Sequence, residues 1–182
     1  MRKAVKKYFI AIVIPEPLME RIEDIKRSLF ENYGLKGALR SPSHITLHRP
    51  FEWIEEKEAH LIEKLAEFKF DKAFEIALNG YGFFEPRVIY IKLLQEALLF
   101  DLHDHLKKHA RMELKLLNEV NDLRGFHPHI TVAFRDLKKP LFYELQTFFK
   151  DENFEGKFFN EGFSLLKFEG RWEEINFFKW HN

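Results

Sequence analysis

Two short segments of the chain repeat one order of residue types: a histidine, an apolar residue, a threonine and a second apolar residue. The first tetrad is His44-Ile45-Thr46-Leu47, and the second is His129-Ile130-Thr131-Val132. The chain contains only three threonines, and two of them stand two positions after a histidine in these matching settings. An imidazole and a hydroxyl at this spacing are suited to acid–base chemistry on an anionic substrate.

Both tetrads have the alternating pattern of a β-strand, whose successive side chains point to opposite faces. Strict alternation groups the polar side chains into two sets: His44, Thr46 and His48 in the first segment, and His129, Thr131, Ala133 and Arg135 in the second. The intervening apolar residues then face a core. Because buried polar groups cost free energy unless they are hydrogen-bonded, we expect the polar faces to line a cleft.

Two imidazoles that face each other across a cleft fit general acid–base catalysis. Their ordinary pKa near 6.5 allows one ring to be neutral while the other is protonated near neutral pH. The hydroxyls of Thr46 and Thr131 can donate hydrogen bonds to phosphoryl oxygens, where negative charge develops. The tetrads therefore predict phosphodiester chemistry without a metal.

The paired tetrads resemble the signature of the two-histidine (2H) phosphoesterases, which include 2′-5′ RNA ligase-like proteins and cyclic nucleotide phosphodiesterases. The resemblance extends to tetrad separation, chain length and a duplicated layout over essentially the whole chain. It implies an α+β fold of two lobes, with an antiparallel sheet in each half, helices outside and a central groove. It also implies that His44 and His129 are the catalytic acid and base and that Thr46 and Thr131 hold the phosphate. The implied substrates are 2′,3′-cyclic phosphates or 2′-5′ linkages at nucleotide or RNA ends, handled without a cofactor. By family likeness His129 is the base, although the sequence leaves this order open.

Several other residues are candidates for substrate contacts. Alternation makes Arg135 the preferred accessory phosphate contact and ranks Arg49 lower, because Arg49 falls on the opposite face of the first strand. His48 is either a third site residue or a partly exposed residue at the rim. Tyr90 and Phe84 can stack on a nucleobase, with core packing as the alternative for each.

Two other functions remain open on the sequence. His105 and His109 lie one helical turn apart, as zinc ligands can, but the segment lacks the glutamate of a zincin and an evident third ligand, so a solvated helix face is expected. A nucleotide- or RNA-binding module that senses without catalysis would keep the same groove. Turnover distinguishes that module from an enzyme.

The composition limits the setting and the partners. Twenty-nine basic and 29 acidic residues cancel, which disfavours an extended grip on duplex nucleic acid and favours a nucleotide or short RNA end. The absence of cysteine excludes disulfides and thiolate catalysis, and we expect a cytoplasmic monomer. The apolar run near the amino terminus is short and ends in Pro15-Glu16-Pro17, so we expect a buried strand rather than a signal peptide or membrane anchor.

Apolar periodicity and glycine or proline positions predict the elements that hold the tetrads. We expect strands at 8–14, 74–84 and 87–94, helices from 18 to the stop at Gly34, at 56–68, 96–108 and 140–150, and a strand at each tetrad. We further expect a turn at Asn79-Gly80, a loop of helical character at 110–126, and strands in the last thirty residues, broken by Gly156, Gly162 and Gly170. Residues 1–182 are predicted to form one α+β domain of two pseudo-symmetric halves.

Overall fold

The computed structural model describes residues 3–70, 72–94, 97–117 and 125–180. In chain order its elements are β1 (Val5–Val13), α1 (Leu18–Tyr33), β2 (His44–Ile54), α2 (Glu58–Ala66), β3 (Phe74–Phe84), β4 (Val88–Leu94), α3 (Ala97–Glu113), β5 (His129–Ala133), α4 (Lys139–Asp151), β6 (Glu155–Asn160), β7 (Gly162–Phe168) and β8 (Trp172–Lys179). Short 3-10 turns precede β2 at Ala38–Arg40 and α2 at Glu55–Lys57. No helix within these described ranges is long and apolar enough to cross a membrane.

The strands form two antiparallel sheets of four strands each. Sheet A has the order β2-β1-β7-β8, and sheet B has the order β5-β4-β3-β6. Apolar residues of all four helices pack with one face of each sheet in a single core cluster, which includes Ile22, Leu65, Leu102 and Phe142 from the helices and Ile10, Ile12, Ile45, Ile89, Ile91 and Ile130 from the sheets. The predicted α+β class with two antiparallel sheets is confirmed.

The two sheets do not coincide with the two halves of the sequence. Sheet A combines the first two strands with the last two, because β7 pairs with β1 through Phe9–Leu166 and its neighbours. The spatial equivalence is nevertheless clear: each tetrad strand, β2 or β5, lies at one edge of its sheet. Since β2 and β5 contact each other, these two edges meet.

Most predicted elements are present, and the structure differs from the prediction at three places. The residues at 79–80 do not form a turn: β3 continues through them, with an irregularity between Leu78 and Tyr81 at which Gly80 adopts a positive φ of 64°. Helix α3 extends to Glu113, whereas the rest of the predicted loop includes residues 118–124, which lie outside the described ranges. Gly156 and Gly162 lie inside strands β6 and β7 rather than between strands.

Each tetrad ends in a β-bulge at the same position. In sheet A, Thr46 pairs with Ala11 but His48 pairs with Ile10, which leaves Leu47 as the extra residue. In sheet B the ladder shifts in the same way between Thr131 and Ala133, so that Val132 is the extra residue. A bulge reverses the alternation of side chains beyond it. The polar face that begins at each histidine therefore ends at the threonine.

Candidate active site

The first tetrad directs its polar side chains away from the main core. His44 pairs with Val13 and Thr46 pairs with Ala11, on the face of sheet A opposite Ile12. A separate small apolar cluster lies on this outer face and consists of Phe9, Ala11 and Leu166 with Val13 and Trp172 packed against them. The ring of Phe9 lies 4.8 Å from the ring of His44. The first histidine therefore lies beside an apolar surface on the outer face of sheet A.

The second tetrad has the same arrangement on sheet B. His129 pairs with Lys92 and Thr131 pairs with Tyr90. The rings of Phe84 and Tyr90 lie 4.9 Å and 5.1 Å from the ring of His129 and 4.4 Å from each other. Both aromatic side chains are half-buried, outside the main core cluster.

Gly82 of β3 determines where the ring of Tyr90 lies. A Cβ atom at Gly82 would meet two carbons of the Tyr90 ring at 2.4 Å and the hydroxyl at 2.7 Å. The ring consequently lies over the bare backbone of this glycine. Any side chain there would displace Tyr90 from its place next to His129.

Both histidine rings are oriented by the same kind of hydrogen bond. His44 Nδ1 donates to the carbonyl oxygen of Pro42 at 2.7 Å, and His129 Nδ1 donates to the carbonyl oxygen of His127 at 2.6 Å. Because a carbonyl can only accept, each Nδ1 carries a proton, and Nε2 is the nitrogen that exchanges protons with a substrate. The partner stands two residues before the histidine in both cases.

Burial makes both rings harder to protonate. Desolvation lowers the pKa of His44 to about 4, and the positive charges of Lys26 and of protonated His129 act in the same direction. Desolvation also lowers the pKa of His129, as does the nearby imidazole of His127. His129 is close enough to His44 to affect its pKa, since the strands β2 and β5 that carry the two rings contact each other.

A contact between the two tetrad regions closes one end of this arrangement. Asp136 Oδ2 accepts hydrogen bonds from the backbone amides of Lys36 and Gly37 at 2.8 Å and 3.0 Å, across about a hundred residues of sequence. A Cβ at Gly37 would come within 2.6 Å of the carbonyl oxygen of Phe134. We call this contact the Asp136 clasp. It joins the loop that leads to the first tetrad to the loop that follows the second.

The two bulges overturn the predictions that rested on strict alternation. His48 points to the core face with Ile10 and is 1% exposed. Its Nδ1 lies 2.9 Å from the carbonyl oxygen of Arg49, and its ring contacts the ring of Phe51. The prediction that His48 lies beside His44 is therefore wrong. The bulge at Leu47 precedes Arg49, so alternation no longer places the exposed Arg49 on the face opposite His44.

The alternation that favoured Arg135 as a phosphate contact does not hold either, because Arg135 lies beyond the bulge at Val132. The strand ends at Ala133, and Arg135 adopts a positive φ of 64° with its guanidinium 5.2 Å from the Phe134 ring. Its exposed side chain adjoins the Asp136 clasp. Phosphate contacts by Arg135 and Arg49 stay predictions.

The structure also places residues near the first tetrad that the sequence analysis did not consider. Trp172 of β8 packs edge-on against Phe9 at 4.7 Å, and Phe168 lies 5.2 Å from Trp172. The guanidinium of Arg40 lies 5.8 Å from the Phe168 ring. These aromatic residues reach the outer face beside Phe9 because β7 pairs with β1 and β8 pairs with β7. No local sequence pattern indicates this pairing.

The histidines of α3 have other contacts. His109 Nε2 lies 2.7 Å from the carbonyl oxygen of Lys64, and the exposed His105 lies 3.8 Å from a carboxylate oxygen of Asp101. Among the described residues, no group of three or more His, Cys, Asp or Glu side chains is placed to hold a metal ion.

Comparisons with known proteins identify the family and the fold of this chain. A sequence profile of the 2′-5′ RNA ligase superfamily matches residues 14–172. An RNA 2′,3′-cyclic phosphodiesterase of Archaeoglobus fulgidus is 29% identical over 152 residues, which cover 81% of this chain and 83% of that protein. Among solved structures, Thermus thermophilus TT0787 has a TM-score of 0.66 at 21% identity and covers 95% of this chain and 97% of its own. Escherichia coli LigT complexed with NADP+ has a TM-score of 0.68 at 21% identity, with 98% and 100% covered. The complex of LigT with 3′-AMP gives 0.66 at 20% identity over the full length of both chains. At these identities the structural matches show a shared fold.

Proposed function

This chain belongs to the 2′-5′ RNA ligase superfamily and is a phosphoesterase; we propose that it opens 2′,3′-cyclic phosphates at nucleotide or RNA ends, or acts on 2′-5′ linkages, by metal-independent catalysis with two histidines. The observation that carries the proposal is the matched pair of rings on adjoining edge strands, each held through Nδ1 by a backbone carbonyl. The name of the Archaeoglobus relative supports the substrate class.

The proposed reaction on a cyclic phosphate is a hydrolysis with two proton transfers. Nε2 of a neutral imidazole takes a proton from water as the water oxygen bonds to phosphorus. The bond from phosphorus to one ribose oxygen breaks, and Nε2–H of the second, protonated imidazole gives its proton to that oxygen. Thr46 and Thr131 donate hydrogen bonds to the non-bridging oxygens, whose charge grows in the transition state. The product is a ribose phosphate monoester with one free hydroxyl.

The aromatic side chains beside each histidine supply contacts for nucleosides. Tyr90 and Phe84 adjoin His129, and Trp172 and Phe168 adjoin the His44 side together with Arg40. Stacking of a base on an aromatic ring contributes about 1–3 kcal/mol. The LigT complex with 3′-AMP, a nucleotide, supports a ligand of this size in this fold. We propose that these rings bind the bases that flank the reacting phosphate.

A turnover assay tests the proposal. Wild type, His44→Ala, His129→Ala and the double variant are assayed in EDTA against nucleoside 2′,3′-cyclic monophosphates and short RNAs with a cyclic-phosphate end. Loss of the acid or the base is expected to lower kcat by about 10²–10⁴-fold, and the double variant is expected to be scarcely worse than either single variant because the two groups act together. His105→Ala, which removes an exposed histidine from α3, is the matched control and keeps full activity.

Three results would contradict the proposal. Activity that persists in both single variants would remove the histidines from the mechanism. Activity lost in EDTA and restored by zinc would establish a metal-dependent hydrolase. Binding of a nucleotide phosphate without product from any substrate, in a folded protein, would establish a non-catalytic binding module.

A further inference from the structure

A buried ion pair lies directly behind the first histidine. Lys26 is only 2% exposed, and its Nζ lies 2.9 Å from Glu23 Oε1 one helical turn away on α1. Burial lowers the pKa of this lysine, while the carboxylate of Glu23 opposes the shift. Lysine is almost never fully buried unless it is paired, and such pairs are weak evidence of stability. The ion pair of Lys26 and Glu23 therefore points to a role beyond packing.

Both members of the pair hold the three residues that precede His44. Glu23 Oε1 accepts hydrogen bonds from the Ser43 amide at 2.9 Å and from Ser43 Oγ at 2.8 Å. Lys26 Nζ donates to the carbonyl oxygen of Ser41 at 3.3 Å. Between these two anchored residues stands Pro42, whose carbonyl oxygen accepts from His44 Nδ1. The ion pair thus holds the Pro42 carbonyl in place, and this carbonyl in turn orients the His44 ring.

We propose that Glu23 and Lys26 are positioning residues that hold residues 41–43 in place, so that the Pro42 carbonyl keeps His44 in a single tautomer with its proton on Nδ1. This inference rests on the proposed function. In it, the pair leaves Nε2 of His44 as the nitrogen that exchanges a proton with the substrate, whichever of the two histidines is the base.

The pair also affects the charge of this ring. His44 is faced by Lys26 and Glu23 from α1 and by His129 from β5. Lys26 lowers the pKa of His44 and has the largest effect of the three, whereas Glu23 raises this pKa. The Phe9 ring of β1 contributes no charge. Removal of Lys26 is therefore expected to make His44 easier to protonate and to hold its ring less firmly.

Lys26→Met tests the inference, with Glu23→Gln/Lys26→Met as a second variant. The single change leaves the half-buried carboxylate of Glu23 without its cation, which can prevent folding. The double change removes both charges and keeps an amide oxygen to accept from Ser43. Arg27→Met is the control, since Arg27 forms an exposed pair with Asp24 on the same helix. Nitrogen-15 NMR of the His44 ring gives its tautomer and titration midpoint, and a pH profile of kcat/KM follows.

The wild-type ring is expected to be a single tautomer with the proton on Nδ1. In Lys26→Met the titration midpoint of His44 should rise by roughly half a pH unit or more, and the limb of the profile that reports His44 should move with it. The maximal kcat/KM should stay equal or fall, by up to roughly tenfold if the ring is misplaced. The Arg27→Met profile should match wild type.

An unchanged tautomer and an unchanged titration midpoint of His44 in both variants would overturn the inference and make the pair purely structural. If wild type turns over no phosphodiester, the proposed function fails, and the NMR result alone decides whether the pair positions the ring.

Discussion

Loss of the Asp136 clasp is expected to weaken both the fold and the reaction. Asp136→Ala removes two backbone hydrogen bonds of 2.8 Å and 3.0 Å to a carboxylate. Hydrogen bonds to charged groups contribute about 1.5–3 kcal/mol each, but the Lys36 amide is exposed and water replaces its partner at little cost. The free energy of unfolding should therefore fall by about 2–3 kcal/mol, mostly through the half-buried Gly37 amide.

The effect on the reaction follows from what the clasp joins. It links the segment before His44 to the segment after His129, and a displacement of about 1 Å between reacting groups can cost on the order of 10²-fold in rate. We expect kcat to fall by roughly tenfold, with KM changed less.

Urea unfolding and steady-state kinetics on one cyclic phosphate measure these two effects. Asp136→Asn keeps a neutral acceptor and should lose about 1 kcal/mol. Asp151→Ala, at the exposed end of α4, should stay within about 0.5 kcal/mol of wild type. The reasoning is refuted if Asp136→Ala is as stable and as active as Asp151→Ala, because the clasp would then hold nothing in place.

Three further predictions concern the groove. The free energy of unfolding should fall as pH decreases from 6.5 towards 4, because the pKa of His44 is lowered from 6.5 to about 4 on folding and the resulting stabilisation is complete only above pH 6.5. For a partly exposed ring the loss is about 1–3 kcal/mol. Unfolding of His44→Gln measured against pH should show a weaker dependence. Gly82→Ala should raise KM several-fold by displacing the Tyr90 ring, and the same change should cost little in a Tyr90→Leu background, as a double-mutant cycle would show. Trp172→Leu should raise KM by about 5- to 100-fold through lost base stacking, whereas Phe148→Leu, 58% exposed on α4, should not; equal KM values for these two variants would remove Trp172 from the substrate site.

The sequence predicted the elements whose signals are local. Leucines and isoleucines at helical spacing located α1, and its end at Gly34 is explained by a left-handed residue that donates to the last carbonyls. The polar and apolar alternation within each tetrad was also sufficient to place His44 with Thr46 and His129 with Thr131.

The sequence could not predict features that depend on distant pairing. Nothing near Trp172 indicates that β7 would return to β1 and that β8 would bring this residue to Phe9, whose ring lies beside His44. The buried Lys26 was equally hidden, since a lysine beside Ile25 in a helix suggests a solvated position. Helix α1 buries it because Glu23 and the Ser41 carbonyl satisfy its ammonium group.

The matched bulges at Leu47 and Val132 separate the side-chain phase of each tetrad from that of the residues that follow it. Within the tetrad the phase exposes the histidine and threonine, and the next residue, His48 or Ala133, already turns inward to the core. Strand β2 has a second register shift before Phe51, whereas β5 ends at Ala133. A point insertion or deletion after the bulge should therefore leave the histidine and threonine facing the groove, whereas removal of the bulged residue would bring the two phases into conflict.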